Sequence, residues 1–123
     1  MNRVVEALAA ELGQMAAIPG ISGCALVEAD AGMVWHTAGH VPDVQNIAEA
    51  ASDYWRLYLR LERNFDSLGG LRGSLMWHAQ GQLVLLPCGK GLLFMALVEG
   101  NGSVDWQACF ARTQVLADLV DQM

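Results

Sequence analysis

The chain has 123 residues, of which 54% are hydrophobic and only 16% are charged, against about 25% charged in a typical soluble domain. This length predicts a single domain over residues 1–123 with a core of its own, and the shortage of charged residues favours association with another protein. The formal net charge of −6 argues against a nucleic-acid partner, which would need clustered Lys and Arg.

The sequence contains no run close to the roughly 18 apolar residues that a membrane span needs. Arg3, Glu6 and Glu11 interrupt the segment where a signal peptide would be apolar. Three cysteines, an odd number, stand far apart among apolar neighbours, which is typical of reduced, buried thiols. We therefore expect a cytoplasmic protein with no membrane span and no disulfide framework.

Apolar periodicity and turn residues predict eight elements. In chain order they are a helix over 1–17, strands over 22–28 and 33–37, a long helix over 43–63, strands over 74–79, 82–87 and 92–98, and a final helix after 103. Asp43 is the expected amino-terminal cap of the long helix. Ser103 is the expected cap of the last one, with Asp105 in its first turn.

Short turns between successive strands favour antiparallel pairing, and the apolar inner strands predict that both sheet faces are covered. The expected fold is a three-layer α+β domain in the order α-β-β-α-β-β-β-α. Its five-stranded antiparallel sheet carries the long helix on one face and the two terminal helices on the other. One side of the last helix is expected to pack on the sheet. It consists of Trp106, Phe110, Thr113, Ala117 and Val120, with Cys109, Leu116 and Leu119 close by.

The long helix has an apolar arc of roughly 200°, twice the width that one covered face needs. The line expected to face the core consists of Ile47, Ala51, Tyr54, Tyr58, Leu61 and Phe65. Ala48, Trp55 and Leu59 lie to one side of it, and we expect a second surface, a protein interface, to cover them. In the alternative, Trp55 packs against a loop of its own chain, and the helix forms no dimer interface.

The polar face of the same helix holds three of the seven basic residues within roughly 80°. Its members are Glu49, Asp53, Arg56, Arg60 and Arg63. In one interpretation they bind a partner, since arginine forms bidentate bonds with carboxylates. In the other they only solvate the helix, with Asp53 paired to Arg56.

Residue spacing argues against intrinsic chemistry. Gly89 and Lys90 lack the preceding glycine and the following hydroxyl of a phosphate-binding loop. His36 and His40 are four residues apart but lie outside a helix, so they do not form a zinc-ligand pair. We expect no metal, no cofactor and no catalytic residues. An enzyme that uses scattered residues such as His36, His40 and Cys88 is the weakest alternative.

Glycine-containing segments occur in a set order between the predicted elements. They are Pro19-Gly20-Ile21-Ser22-Gly23 leading into the first strand, Asp30-Ala31-Gly32 at the first turn, and Asn101-Gly102 before the last helix. With the long middle helix, this order resembles the roadblock family of dynein light-chain and bacterial GTPase-regulator domains.

The resemblance implies a homodimer in which middle helices pack side by side and third strands pair edge to edge. It would place Ala48, Trp55 and Leu59 at the dimer interface. It would also pair the third strand, which carries Leu75 and Trp77, with the same strand of the second copy. It further implies a regulatory or scaffold protein that binds a small Ras-like GTPase, with accessory rather than intrinsic hydrolytic activity. The alternative function is a small-ligand sensor with a pocket under the long helix.

Overall fold

A computed structural model, which describes residues 3–100 and 103–122, shows a five-stranded sheet between two layers of helices. The elements are α1 (Arg3–Ala16), β1 (Ile21–Glu28), β2 (Val34–Gly39), α2 (Val44–Leu61), a 3₁₀ segment (Glu62–Leu68), β3 (Ser74–His78), β4 (Gly81–Pro87), β5 (Leu92–Glu99) and α3 (Trp106–Asp121). The predicted element order and fold class are confirmed. Among the described residues, no helix is both long and apolar enough to cross a membrane.

The strands follow the order β2-β1-β5-β4-β3, and every neighbouring pair is antiparallel. The apolar strand β5 lies at the centre, where both of its faces are covered. Gly39, at the end of β2, has a φ of +99°, and a Cβ atom there would lie 2.6 Å from the Cα atom of Gly23 in β1. Glycine is therefore required where these two strands approach each other.

One face of the sheet is covered by α1 and α3 together. Leu8, Leu12 and Met15 of α1 are fully buried in the same cluster as Leu116 and Val120 of α3. The two helices are also joined by an ion pair, in which Nη1 of Arg112 contacts both carboxylate oxygens of Glu11 at 3.1 Å. Two helices thus form the layer on this face, as predicted.

The opposite face carries α2 alone, which packs mainly across β1 and β2. Its buried positions include the small side chains of Ala48, Ala51 and Ser52, each no more than 1% exposed. Small side chains let the helix backbone approach the sheet closely, and Trp55 fills the space beside them. Strands β4 and β3 extend beyond the helix on this face.

The helix termini differ from the prediction in detail. Asp43 occupies the cap position of α2, but its side chain makes no capping hydrogen bond. The cap of α3 is Asp105 rather than Ser103, because the Asp105 carboxylate accepts a hydrogen bond from the Ala108 amide at 3.1 Å. The α-helical part of α2 ends at Leu61 and continues as the 3₁₀ segment. The predicted turn at 101–102 lies outside the described residues.

The buried side of α3 is rotated relative to the predicted one. Cys109, Thr113, Leu116 and Val120 are buried, whereas Phe110, which was expected to face the sheet, is 53% exposed. The prediction was wrong because it centred the buried face on the aromatic residues. At 100° per residue, the centre of the four buried positions lies between Cys109 and Val120 instead.

Candidate interaction surface on the central helix

The side chains of α2 fall into three sets whose centres are roughly 120° apart at 100° per residue. The core face consists of Val44, Ala48, Ala51, Ser52 and Trp55. The α2 seam, as we name the second set, consists of Ile47, Ala50, Tyr54, Leu57 and Leu61. The polar face consists of Glu49, Asp53, Arg56 and Arg60, and Arg63 extends it into the 3₁₀ segment. Two of the three faces of this helix are therefore apolar, and only one of them packs on the sheet.

The core face contains two residues that were predicted to need a partner surface. Ala48 is fully buried and Trp55 is 8% exposed, and both pack in the cluster that includes Val27, Leu85 and Met95 of the sheet. The premise that the chain's own fold leaves Trp55 uncovered was therefore wrong. The alternative is nearer the truth, because Trp55 is buried within its own chain, in a cluster that contains strand residues and Ala29 of the β1–β2 turn.

The seam contains Tyr54 and Leu61, which were expected to face the core, and Leu57, which lies beside that line, and all three are largely exposed. Tyr54, Leu57 and Leu61 are 50%, 45% and 44% exposed, respectively. Ile47, Ala50 and Tyr54 border an open groove of about 560 Å³, whose opposite wall includes Leu83, Leu97 and His78. The seam therefore faces the part of the sheet that α2 does not cover.

The seam follows a pattern that the sequence displays and that the prediction missed. Its five residues are spaced three, four, three and four apart, which is the spacing of core positions in a coiled coil. Tyr58 and Phe65, also assigned to the core line, stack on each other with ring centroids 5.6 Å apart. This stack joins α2 to the 3₁₀ segment near the surface.

The remaining predicted interface residues are not brought together. Leu59 is 40% exposed but lies on the far flank of α2 from the seam. Leu75 pairs with Val84, and Val84 belongs to the core beneath α1 and α3. Because directly paired residues share a sheet face, Leu75 and Trp77 project from the face opposite α2, where they are 53% and 81% exposed.

Four residues of the polar face share one side of α2, and Arg63 follows them in the 3₁₀ segment. Four of these five residues are exposed and Arg56 is half-buried. Arg56 pairs with Asp53, and its Nη1 also donates to the carbonyl oxygens of Ala29 at 2.6 Å and Asp30 at 3.2 Å. Arg56 therefore anchors the β1–β2 turn to α2, which leaves Arg60 and Arg63 as the arginines that extend into solvent.

The cysteines have the properties of core residues rather than nucleophiles. Cys24, Cys88 and Cys109 are free and buried, as predicted. Burial raises the pKa of Cys24 and of Cys88 to about 12 and also raises the pKa of Cys109. These thiols stay protonated at neutral pH, which weakens the alternative that used Cys88 in catalysis.

Potential sites for metal or phosphate receive no support from the geometry. Among residues 3–100 and 103–122, no group of three His, Cys, Asp or Glu side chains is arranged to hold a metal ion. Lys90 lies with Gly89 and Gly91 in a tight turn between β4 and β5, where all three have positive φ. Its Nζ donates to the carbonyl oxygen of Asp121 at 3.4 Å, so this lysine bridges the turn to the end of α3.

Comparison with solved structures identifies proteins of the same fold. A Roadblock/LC7 domain from Streptomyces avermitilis is 22% identical with a TM-score of 0.72, over 94% of this chain and 92% of that one. The gliding protein MglB from Thermus thermophilus is 13% identical with a TM-score of 0.83, over 100% and 95%. An MglB structure with a tetrameric arrangement is 13% identical with a TM-score of 0.82, over 99% and 93%.

No protein-family model matches the chain, and no curated protein matches its sequence. The likeness therefore concerns three-dimensional structure, and it extends over nearly the whole of this chain and of each neighbour. Because the element order and the layers agree with these structures throughout, the chain has the roadblock fold.

Proposed function

We propose that the protein is a non-enzymatic homodimer, formed by α2 seams packed side by side, that serves as a regulatory or scaffold protein. The observation that carries this proposal is the seam itself. It presents Tyr54, Leu57 and Leu61 to solvent at coiled-coil spacing on a helix whose other apolar face is already buried. Contiguous exposed apolar surface of this kind marks protein interfaces.

The width of the sheet supports the same arrangement. Five strands spaced about 4.8 Å apart make a sheet roughly 20 Å or more across, whereas one helix is about 10 Å wide. The face covered by α1 and α3 has two helices, and the other has α2 alone. A second copy of α2, placed in the groove beside the seam, would complete the missing half of that layer.

The edge strand β3 offers a second element of the proposed dimer. It pairs with β4 on one side only, so its other side presents free backbone groups. Pairing of two β3 edges would extend the sheet across the two-fold axis. In this arrangement the interface uses the backbone of β3, while Leu75 and Trp77 stay on the sheet face opposite the seam.

A small Ras-like GTPase is the partner we propose for the dimer, as the roadblock resemblance implies. The polar face supports a protein partner, because dimerisation through the seam places two copies of Arg60 and Arg63 on the outside of the paired helices. With three free, buried thiols the protein suits a reducing compartment, and we place it in the cytoplasm.

The GTPase proposal is tested by binding of the purified protein to a Ras-like GTPase from the same genome, loaded with GTP or with GDP. We expect nucleotide-dependent binding that falls about tenfold in the Arg60→Glu, Arg63→Glu double variant. Arg3→Glu, an exposed arginine on α1, is the matched control and should bind normally. Binding that is identical with both nucleotides would contradict regulation, and binding unaffected by the double variant would remove the polar face from the contact.

A ligand sensor is the second candidate, favoured by the groove of about 560 Å³ beside α2. Its lining combines apolar Ile47 and Leu83 with polar His78 and Gln82, a mixture found in small-molecule sites. The two candidates compete for the same space, since the α2 helix of a second copy would fill the groove. A monomeric protein that is stabilised by a small metabolite would favour the sensor.

A further inference from the structure

A second groove lies on the opposite face of the sheet, between α3 and the β3–β4 edge. Its volume is about 780 Å³, and it is open to solvent. The buried side chains of Val84 and Leu86 border it on the sheet side, with Leu75 nearer the edge. Neither the proposed dimer seam nor the polar face of α2 uses this groove, because α2 lies on the other side of the sheet.

The wall formed by α3 gives the groove its length and its aromatic character. Trp106 and Phe110 lie one turn apart with ring centroids separated by 6.2 Å, and Ala117 continues the wall. The distance along α3 from Trp106 to Ala117 is about 16 Å at 1.5 Å per residue. A groove of this length matches three turns of a helix, and it is longer than a compact small molecule requires.

The charge of the groove indicates what its occupant carries. Arg72 is the one charged residue among the described residues that line it, on a chain with a formal net charge of −6. Its side chain is exposed at the sheet edge beside Leu75. An apolar groove with a single arginine at its border is complementary to an apolar ligand that ends in a carboxylate.

We propose that this groove binds an amphipathic helical segment of a partner protein, with apolar side chains against Phe110 and Leu75 and an acidic residue against Arg72. Helix-in-groove docking uses this combination of an apolar stripe and a polar contact at its border. The proposal rests on the scaffold role proposed above but does not need the GTPase. It gives the protein a second contact surface that is separate from the dimer seam.

The test uses a phage-displayed library of amphipathic helical peptides of about 14 residues, selected on the purified protein. We expect the selected peptides to carry an acidic residue near one end and to bind about tenfold more weakly to Phe110→Asp. Selection on Arg72→Glu should favour a basic residue at the same place. Val115→Asp is the matched control, because Val115 is an exposed apolar residue of α3 that borders a different groove, next to α1.

Light scattering on the same variants separates this proposal from the dimer. Phe110→Asp and Arg72→Glu should keep the oligomeric state of the wild type, so a monomeric wild type that still binds the peptides would refute only the dimer. Peptides that bind both variants as well as the wild type would overturn the groove proposal. Failure to select any peptide, with Arg72-dependent binding of dodecanoate instead, would also overturn it and indicate a small anionic amphiphile.

Discussion

The two apolar faces of α2 look alike in the sequence but serve different purposes in the structure. The core face places small residues such as Ala48 and Ala51 against the sheet, with Trp55 filling the remaining space. The seam places larger residues, such as Tyr54 and Leu57, beside an open groove. The difference shows that residue size, in addition to polarity, determines which apolar face of a helix approaches a sheet closely.

The largest expected effect on stability comes from removing the large side chain of the core face of α2. Trp55→Ala should lower the free energy of unfolding by about 3–5 kcal/mol, because it leaves a cavity against the sheet. Tyr54→Ala, at the neighbouring seam position, should cost less than about 1 kcal/mol. Urea denaturation in a Leu57→Asp background, which we expect to be monomeric, measures the fold without the dimer. Equal losses for the two variants would contradict the assignment of faces.

The polar face of α2 is expected to give an effect on stability of intermediate size. Arg56→Ala removes the hydrogen bonds to the carbonyl oxygens of Ala29 and Asp30 and should lower the free energy of unfolding by about 1–2 kcal/mol. Its ion pair with the exposed Asp53 adds little. Arg60→Ala is the control and should change the free energy of unfolding by less than about 0.5 kcal/mol. If both arginines behave alike in thermal denaturation, Arg56 does not anchor the turn.

The smallest expected effect on folding comes from the seam itself. Leu57→Asp should change the free energy of unfolding of the monomer by about 0.5 kcal/mol or less, because Leu57 is 45% exposed in the isolated chain. Leu59→Asp, at 40% exposure on the far flank, should behave in the same way. Urea denaturation below the dimer dissociation constant compares the two. A large loss for Leu57→Asp alone would mean that this side chain belongs to the core.

The sequence was sufficient to predict the fold because its signals are local and redundant. Turn residues such as Asp30 and Gly32 separate the strands, and the uninterrupted apolar run of β5 requires a central position in the sheet. In α1, the apolar residues Val5, Leu8, Leu12 and Met15 recur every three or four residues, and all of them except Val5 are buried. Each of these inferences depends on residues close together in the chain.

The orientation of α2 and α3 was not predictable from the same signals. On a helix with an apolar arc of about 200°, several directions for the buried face satisfy the pattern equally well. The prediction chose the direction with the aromatic residues at its centre, whereas close contact with the sheet favours small ones. In α2, Ala48, Ala51 and Ser52 are each no more than 1% exposed for that reason. In α3, Leu116 and Val120 are buried as deeply as the small Cys109, so size alone does not set its orientation. The predicted interface at Trp55 followed from this choice.

The bonds of Arg56 show a second limit, which concerns long-range contacts. Its acceptors, Ala29 and Asp30, lie 27 and 26 residues away in the chain, so no local pattern pairs them with this arginine. The sequence identified the polar face but not which of its arginines the fold already uses. Arg60 and Arg63 are the members that the structure leaves extended into solvent.

Mass measurement by size-exclusion chromatography with light scattering tests the central claim most directly. At micromolar concentration we expect the wild type and Leu59→Asp to have twice the 13.3 kDa mass of one chain, and Leu57→Asp to have the mass of one. This result would show that the seam, rather than the far flank of α2, joins two copies. A wild-type mass of 13.3 kDa, or dissociation by Leu59→Asp but not by Leu57→Asp, would contradict it.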